Sequence, residues 1–140
     1  MVEHIRAEIV RAGGFITFAR YMELALYAPA LGYYVAGTRK FGSDGDFVTA
    51  PELTPLYGAA LARQVEAILA TTADREVVEL GAGSAALATS LLVELASRGA
   101  SPARYRILEI SPELKSRQAA ALAAAGVAER TRIEWIDRVP

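Results

Sequence analysis

The stretch Val77–Ala88 constrains this chain most, because a short apolar run with an acid near its end leads into a glycine turn and then into a helical pattern. Gly81 and Gly83 allow backbone angles that a Cβ would forbid, and they let a ligand approach the main chain. The pattern predicts a parallel strand over Glu76–Leu80 that delivers the chain to a small-molecule site.

The apolar period after this turn predicts an alternation of strands and helices. The helix over Ser84–Arg98 is closed by Gly99, a strand follows over Tyr105–Ile110, the next helix runs from Ser111-Pro112 to Gly126, and a last strand spans Arg132–Ile136. This order is half of a doubly wound parallel sheet. We therefore predict an α/β, Rossmann-like fold with about its first three strands, and a domain truncated at Pro140.

Residues 1–73 are predicted to form an N-terminal helical cap with a long loop, ahead of the half-domain 74–140. One helix ends at Gly13-Gly14, and a second begins with Thr17 as N-cap. Residues 30–50 are predicted as loop, with a turn at Asp44-Gly45 and then a short extended piece. A long helix starts at Thr54-Pro55. Its predicted buried stripe consists of Leu61, Val65, Ile68 and Leu69.

Composition excludes several kinds of function. There are no cysteines, so thiolate metal sites are excluded, and with a single histidine, His4, neither a histidine-based triad nor a metal is expected. With 15 basic and 16 acidic residues, the chain has no broad charge for nucleic acid or an anionic membrane. No segment approaches the ~20 apolar residues of a membrane span. The lack of cysteine suits a reducing compartment, and we expect a cytoplasmic protein.

The turn Gly81–Ala86 is compatible with more than one ligand. It fits the dinucleotide pattern G-x-G-x-x-A, in which Glu109 would hold a ribose. An esterase elbow around Ser84 fails because Ala82 stands where glycine is needed, and a phosphate loop fails for lack of its G-K-[ST] ending. The third candidate is S-adenosylmethionine, which carries a sulfonium and an ammonium.

Glu79 favours S-adenosylmethionine, because a carboxylate beside the turn repels a pyrophosphate and attracts a cation. Glu109 would accept hydrogen bonds from the ribose hydroxyls, and Asp137 would reach the adenine amino group. These three acids lie at or near the carboxyl ends of successive strands, where open α/β sheets bind ligands. Each also has a structural alternative: Glu79 paired with a basic residue, Glu109 capping the Ser111 helix, and Asp137 at the surface.

The chain also resembles a known family. Glu79–Ser84 is similar to motif I of class I S-adenosylmethionine-dependent methyltransferases. The segments Phe15–Glu23, Leu31–Tyr34 and Gly45–Glu52 resemble the N-terminal signature of the MidA-like methyltransferases, which include a mitochondrial complex I assembly factor that methylates arginine. The resemblance implies S-adenosyl-L-methionine as cofactor and protein-arginine methylation, linked to respiratory complex I or a similar target.

The resemblance also implies site residues. The cofactor side would comprise Glu79, Gly81, Ala82, Gly83, Ser84, Ala85, Glu109 and Asp137. On the substrate side, Asp46 and Glu52 would act on a guanidinium, within a loop that includes Gly45, Phe47, Thr49 and Pro51. The chain departs from the family at Ala85 and Ala30, where glycine is usual, and a left-handed alanine costs ~1–2 kcal/mol.

Two other functions stay open at this point. One is a non-catalytic assembly or scaffold protein on the same fold, and the other is a dinucleotide-dependent oxidoreductase. The methyltransferase hypothesis implies a protein substrate, whose identity the sequence does not give. An exposed sheet edge favours pairing, so a homodimer is an expectation.

Overall fold

The chain forms two compact units that divide between Lys40 and Phe41, and the computed structural model describes residues 1–36 and 48–139. In the first unit, α1 (Val2–Arg11) packs on α2 (Phe18–Tyr27). The hydroxyl of Thr17 accepts a hydrogen bond from the Arg20 amide at 3.2 Å, which confirms the predicted N-cap. Leu24 is buried in this unit.

The second unit contains a parallel sheet in which β2 lies between β1 and β3. Its elements are α3 (Ala50–Leu53), α4 (Leu56–Leu69), β1 (Glu76–Leu80), α5 (Ala86–Ser97), β2 (Arg104–Leu108), α6 (Pro112–Ala124), a 3₁₀ turn (Val127–Glu129) and β3 (Arg132–Ile136). The register places Ile107 beside Glu79 on one side and beside Trp135 on the other. The predicted alternation of three strands and two helices is confirmed, and β1 and β3 have the predicted bounds.

One face of the sheet forms the hydrophobic core. Because side chains alternate along a strand, Tyr105 and Ile107 share this face, and both are buried. They pack with residues of α4, α5 and α6. The core side chains that α5 contributes are Ala88, Leu91, Leu92 and Leu95. The helices packed on this face support the carboxyl ends of β1 and β2.

The opposite face carries a row of ion pairs across the three strands. Glu76 on β1 contacts Arg104 at 2.9 Å and Arg106 at 3.0 Å, both on β2. Glu134 on β3 contacts Arg106 at 3.1 Å and Arg132 at 2.7 Å. These groups are partly exposed, so each pair contributes roughly 0–1 kcal/mol. The row nevertheless matches charges of opposite sign in the observed register.

The segment before α4 differs from the prediction. Ala50–Leu53 forms a short helix, where a short extended piece was predicted. Pro51 suits its first turn, because no intrahelical donor is needed there. The helix α4 begins one residue later than predicted, at Leu56, whose amide donates to the Thr54 hydroxyl at 3.2 Å. The predicted turn at Asp44-Gly45 lies outside the described residues.

The buried side of α4 also differs from the prediction. Leu69 is buried and Val65 packs against the core, as predicted, but Ile68 is 60% exposed, and the other buried positions are Gly58 and Ala62. Small residues face α5 because the helices approach closely: a Cβ on Gly58 would lie 2.1 Å from the hydroxyl of Ser90. The helix α4 thus packs within the second unit, and the predicted division at residues 73/74 stays a prediction.

Candidate functional site

The turn between β1 and α5 has an unusual backbone. Gly81 has a φ of 73°, Gly83 of 55° and Ala85 of 69°. A Cβ built on Gly81 would meet no atom within 4 Å, so open space adjoins the main chain there. Ala85 adopts a left-handed conformation, which costs about 1–2 kcal/mol. Because this conformation is not that of a right-handed helix, α5 begins at Ala86 rather than at the predicted Ser84.

Glu79 lies on β1 just before this turn. Its carboxylate accepts a hydrogen bond of 2.8 Å from the hydroxyl of Tyr105 on β2. Burial raises the pKa of Glu79, while the Tyr105 hydrogen bond acts in the lowering direction. Burial and the neighbouring carboxylate raise the pKa of Tyr105. No Lys or Arg of the described chain forms an ion pair with Glu79. The described residues therefore do not support the alternative in which Glu79 is paired with a basic residue.

A cavity of about 280 Å³ opens beside Glu79 and the turn. The predicted site residues that line it are Thr49, Pro51, Glu52, Glu79, Gly81, Ala82, Gly83 and Ser84. The Oε2 atom of Glu52 is buried and finds no hydrogen-bond partner within residues 1–36 and 48–139. Two carboxylates thus face one small space, and a buried acceptor without a partner favours a donor or cationic ligand there.

Glu109 follows β2, which ends at Leu108 and not at the predicted Ile110. Its side chain is 8% exposed. One carboxylate oxygen accepts from the Ser111 amide at 2.9 Å, and the other accepts from Gln118 Nε2 at 3.2 Å. The first of these bonds matches the predicted alternative in which Glu109 caps the Ser111 helix. Each oxygen can accept a further bond, so the contacts leave acceptor capacity.

Asp137 directly follows β3 and is exposed. It lines a cavity of about 670 Å³ together with Lys115 and Arg138. The Glu109 amide donates to the Ile136 carbonyl at 3.1 Å, so both acids lie at the same edge of the sheet. The remaining predicted site residues, Gly45, Asp46 and Phe47, are outside the described residues.

Comparison with protein families gives a match over residues 58–140 to the family described as "Putative S-adenosyl-L-methionine-dependent methyltransferase". The chain belongs to this methyltransferase family. The resemblance to MidA-like methyltransferases is thereby confirmed.

Known proteins agree with this assignment. The chain is 36% identical over 115 residues to the mitochondrial protein arginine methyltransferase NDUFAF7 homolog of Caenorhabditis elegans, covering 78% of this chain and 27% of that protein. The Danio rerio NDUFAF7 is 32% identical over 129 residues, covering 87% and 30%. The chain thus spans less than a third of these relatives. Because they are named mitochondrial, the predicted cytoplasmic localisation is wrong.

A solved structure extends the likeness to the fold. A superfamily member from Burkholderia thailandensis, bound to S-adenosyl-homocysteine, is 47% identical, with a TM-score of 0.86 over 99% of this chain and 37% of that one. A native structure from the same organism is 46% identical, with a TM-score of 0.79 over 99% and 34%. The fold is therefore Rossmann-like and shared with these structures, as predicted.

Three residues of the candidate site were missed in the sequence: Tyr105, Gln118 and Trp135. A signal existed for two of them. Tyr105 lies in a predicted strand that ends near Glu109, and a buried tyrosine hydroxyl usually has a partner. Gln118 lies four residues from both Leu114 and Leu122 on the buried side of α6, where an amide requires hydrogen bonds. Trp135 gave no signal beyond its place in a strand.

Two kinds of feature were not found in the described residues. Among residues 1–36 and 48–139, no three acidic, histidine or cysteine side chains are grouped as metal ligands would be. None of the helices in these ranges has the length and apolarity needed to cross a bilayer.

Proposed function

We propose that the protein is an S-adenosyl-L-methionine-dependent methyltransferase that acts on arginine side chains of a protein substrate. The observation that carries the proposal is Glu79, a partly buried carboxylate without an ion pair in the described chain, beside the open turn at Gly81. The family match and the arginine methyltransferase relatives support it. A dinucleotide is disfavoured, since Glu79 would repel a pyrophosphate.

The residues present fit this cofactor. Gly81 leaves room at the main chain where a side chain would intrude, and the cavity beside it is lined by acids. Glu79 would attract the ammonium and sulfonium charges, and Glu109 would accept from the ribose hydroxyls. The exposed Asp137 at the same sheet edge would accept from the adenine amino group. When bound, S-adenosyl-L-methionine supplies a methyl group that is activated by its sulfonium.

Glu52 is the candidate for the substrate side of the cavity. Its buried Oε2 lacks a partner in the described ranges, and a guanidinium supplies paired N–H donors that match a carboxylate. Such pairing would orient the acceptor nitrogen, and orientation is the main protein contribution to an in-line displacement. Asp46, together with Gly45 and Phe47, stays a substrate-side prediction, and so does the homodimer.

The test is methyl transfer by the full-length protein to arginine-containing protein substrates, followed by mass spectrometry. Methylarginine product is expected with wild type. In Glu52→Gln, which keeps the shape and removes the charge, we expect KM for the protein substrate to rise about tenfold or more, while affinity for S-adenosyl-L-methionine stays within about threefold. Glu129→Gln, an exposed change, serves as the matched control.

Each other outcome has a defined meaning. Cofactor binding without any methylated product would contradict catalysis and favour the scaffold hypothesis. Binding of a nicotinamide dinucleotide, with none of S-adenosyl-L-methionine, would contradict the cofactor assignment and favour an oxidoreductase.

A further inference from the structure

Gln118 is a polar residue in an apolar setting. It lies on α6 between Leu114 and Leu122, one helical turn from each, and its exposure is 0%. An amide that loses water at such a position is stable only when its donors and acceptor are bonded. Its bonds therefore show what the position is built for.

The Gln118 amide joins three elements of the site. Its Nε2 donates to the Gly83 carbonyl at 3.1 Å and to a Glu109 carboxylate oxygen at 3.2 Å. Its Oε1 accepts from the indole N–H of Trp135 at 2.8 Å. The glycine turn, the acid after β2 and the strand β3 are thus tied to one side chain.

The orientation of this amide follows from its partners. The indole N–H of Trp135 can only donate, and the carbonyl of Gly83 can only accept. A flipped amide would face Trp135 with its own donor group, so the observed orientation is the one that satisfies every contact. Trp135 therefore sets which end of Gln118 reaches the glycine turn and Glu109.

We propose that Gln118 is a positioning residue that fixes Glu109 for selection of a ribose over a 2′-deoxyribose. The inference rests on the proposed function, in which Glu109 accepts from the ribose hydroxyls. With one oxygen held by the Ser111 amide and the other by Gln118, the carboxylate is oriented before a ligand arrives, and such preorganisation improves discrimination.

A neutral amide suits this role better than a basic residue. An arginine or lysine in its place would neutralise Glu109 and weaken its attraction for hydroxyl donors. Gln118 holds the carboxylate with an N–H donor and adds no net charge. The same nitrogen also donates a hydrogen bond to the Gly83 carbonyl, so the glycine turn and Glu109 keep a fixed spacing.

The test compares two ligands, S-adenosylhomocysteine and its 2′-deoxyribose analogue, by calorimetry on the full-length protein. Wild type is expected to prefer the ribose ligand by about 10- to 100-fold, the range of a hydrogen bond to a charged group. In Gln118→Met, of similar length but without the amide, we expect this ratio to fall below about threefold. Gln64→Met, the same change at an exposed position of α4, should keep the wild-type ratio.

The ratio distinguishes positioning from a general loss of structure, because a merely structural change weakens both ligands equally. Trp135→Phe provides a second variant, since it removes the donor that orients the amide; a ratio at least about threefold below wild type is expected. If Gln118→Met folds and keeps the wild-type ratio of ribose to deoxyribose affinity, the inference is overturned. If Gln118→Met does not fold, an unchanged ratio in Trp135→Phe overturns it. Failure of wild type to bind either ligand overturns the proposed function and the inference with it.

Discussion

The two strand-to-helix junctions of the second unit occupy equivalent places in the fold but are built differently. At the end of β1, the chain passes through Gly81, Gly83 and Ala85 with positive φ, and open space adjoins Gly81. At the end of β2, Ser111 is extended and caps α6 by accepting from the Leu114 amide at 3.3 Å. The first junction leaves open space beside its backbone, whereas the second is held rigid by hydrogen bonds within the protein.

The acids at these junctions differ in the same way. Glu79 accepts a hydrogen bond from the Tyr105 hydroxyl and lines a cavity. Glu109 is buried, and each of its carboxylate oxygens accepts a hydrogen bond. We infer that charge recognition resides at β1, where a carboxylate is held without neutralisation, and that β2 supplies a rigid acceptor. The comparison predicts that mutations at Glu109 lower stability as well as ribose binding, whereas mutations at Glu79 weaken cofactor binding without lowering stability at neutral pH.

The largest stability effect is expected for Glu109→Ala. The change leaves the Ser111 amide and Gln118 Nε2 without their shared acceptor inside the protein, and an unsatisfied buried donor costs roughly 1–3 kcal/mol. A loss of about 2–4 kcal/mol in the free energy of unfolding is expected, measured by urea denaturation. Glu113→Ala, an exposed acid on the same helix, should change it by less than about 0.5 kcal/mol. Equal effects of the two substitutions would show that the buried hydrogen bonds of Glu109 do not stabilise this junction.

A smaller effect, visible in the pH dependence of binding, is expected for Tyr105→Phe. A cationic cofactor prefers ionised Glu79, so affinity for S-adenosyl-L-methionine should rise with pH through the raised pKa of Glu79 and then level off. Loss of the hydroxyl removes a hydrogen bond that stabilises the carboxylate, so the pKa moves higher still. The midpoint of the affinity curve should therefore shift to higher pH; a shift to lower pH would contradict the assigned role of Tyr105.

The same raised pKa has a consequence for stability. The folded, ligand-free protein holds the Glu79 proton more tightly than the unfolded chain does. The contribution of this proton to the free energy of unfolding is therefore fully present below the usual glutamate pKa, and it is lost as pH rises through the raised pKa of Glu79. Glu79→Gln should flatten that decline, as followed by thermal unfolding across pH; a decline as steep as in wild type would assign it to other groups.

The smallest effect concerns backbone strain at the open junction. Ala85 and Ala30 both have positive φ, but Ala85 is buried and Ala30 is exposed. Replacement by glycine relieves ~1–2 kcal/mol of strain and increases the entropy of the unfolded chain; at Ala85 it also removes a buried methyl worth ~0.8 kcal/mol. Ala30→Gly should stabilise by roughly 0.5–1 kcal/mol and Ala85→Gly by less. Denaturation of both variants measures the difference, and stabilisation of Ala85→Gly equal to or greater than that of Ala30→Gly would contradict a packing contribution of the Ala85 methyl.

Much of the fold could be predicted because its signals are local. Ser111-Pro112 marks a helix start, Gly99 and Gly126 take the positive φ that follows a helix end, and β1 and β3 were placed to the residue. The acids Glu79 and Glu109 could be found because strand ends in a parallel sheet meet at one edge.

What could not be predicted depends on tertiary contacts. The buried side of α4 is set by its close approach to α5 at Gly58, so Ile68 is exposed despite its apolar side chain. The bonds of Gln118 join segments that are 35, 9 and 17 positions away in sequence. No local pattern specifies such a network, although a glutamine on the buried side of α6 indicated that one was needed.

Glu79 is the group on which attraction of a cationic cofactor depends most in the proposed function. Calorimetric titration of the full-length protein with S-adenosyl-L-methionine tests this directly, with wild type compared with Glu79→Gln and with Glu129→Gln as the exposed control. We predict that Glu79→Gln weakens binding by about 10- to 100-fold, while it unfolds at neutral pH no more easily than wild type and the control binds normally. Equal affinity of wild type and Glu79→Gln would contradict this role of Glu79.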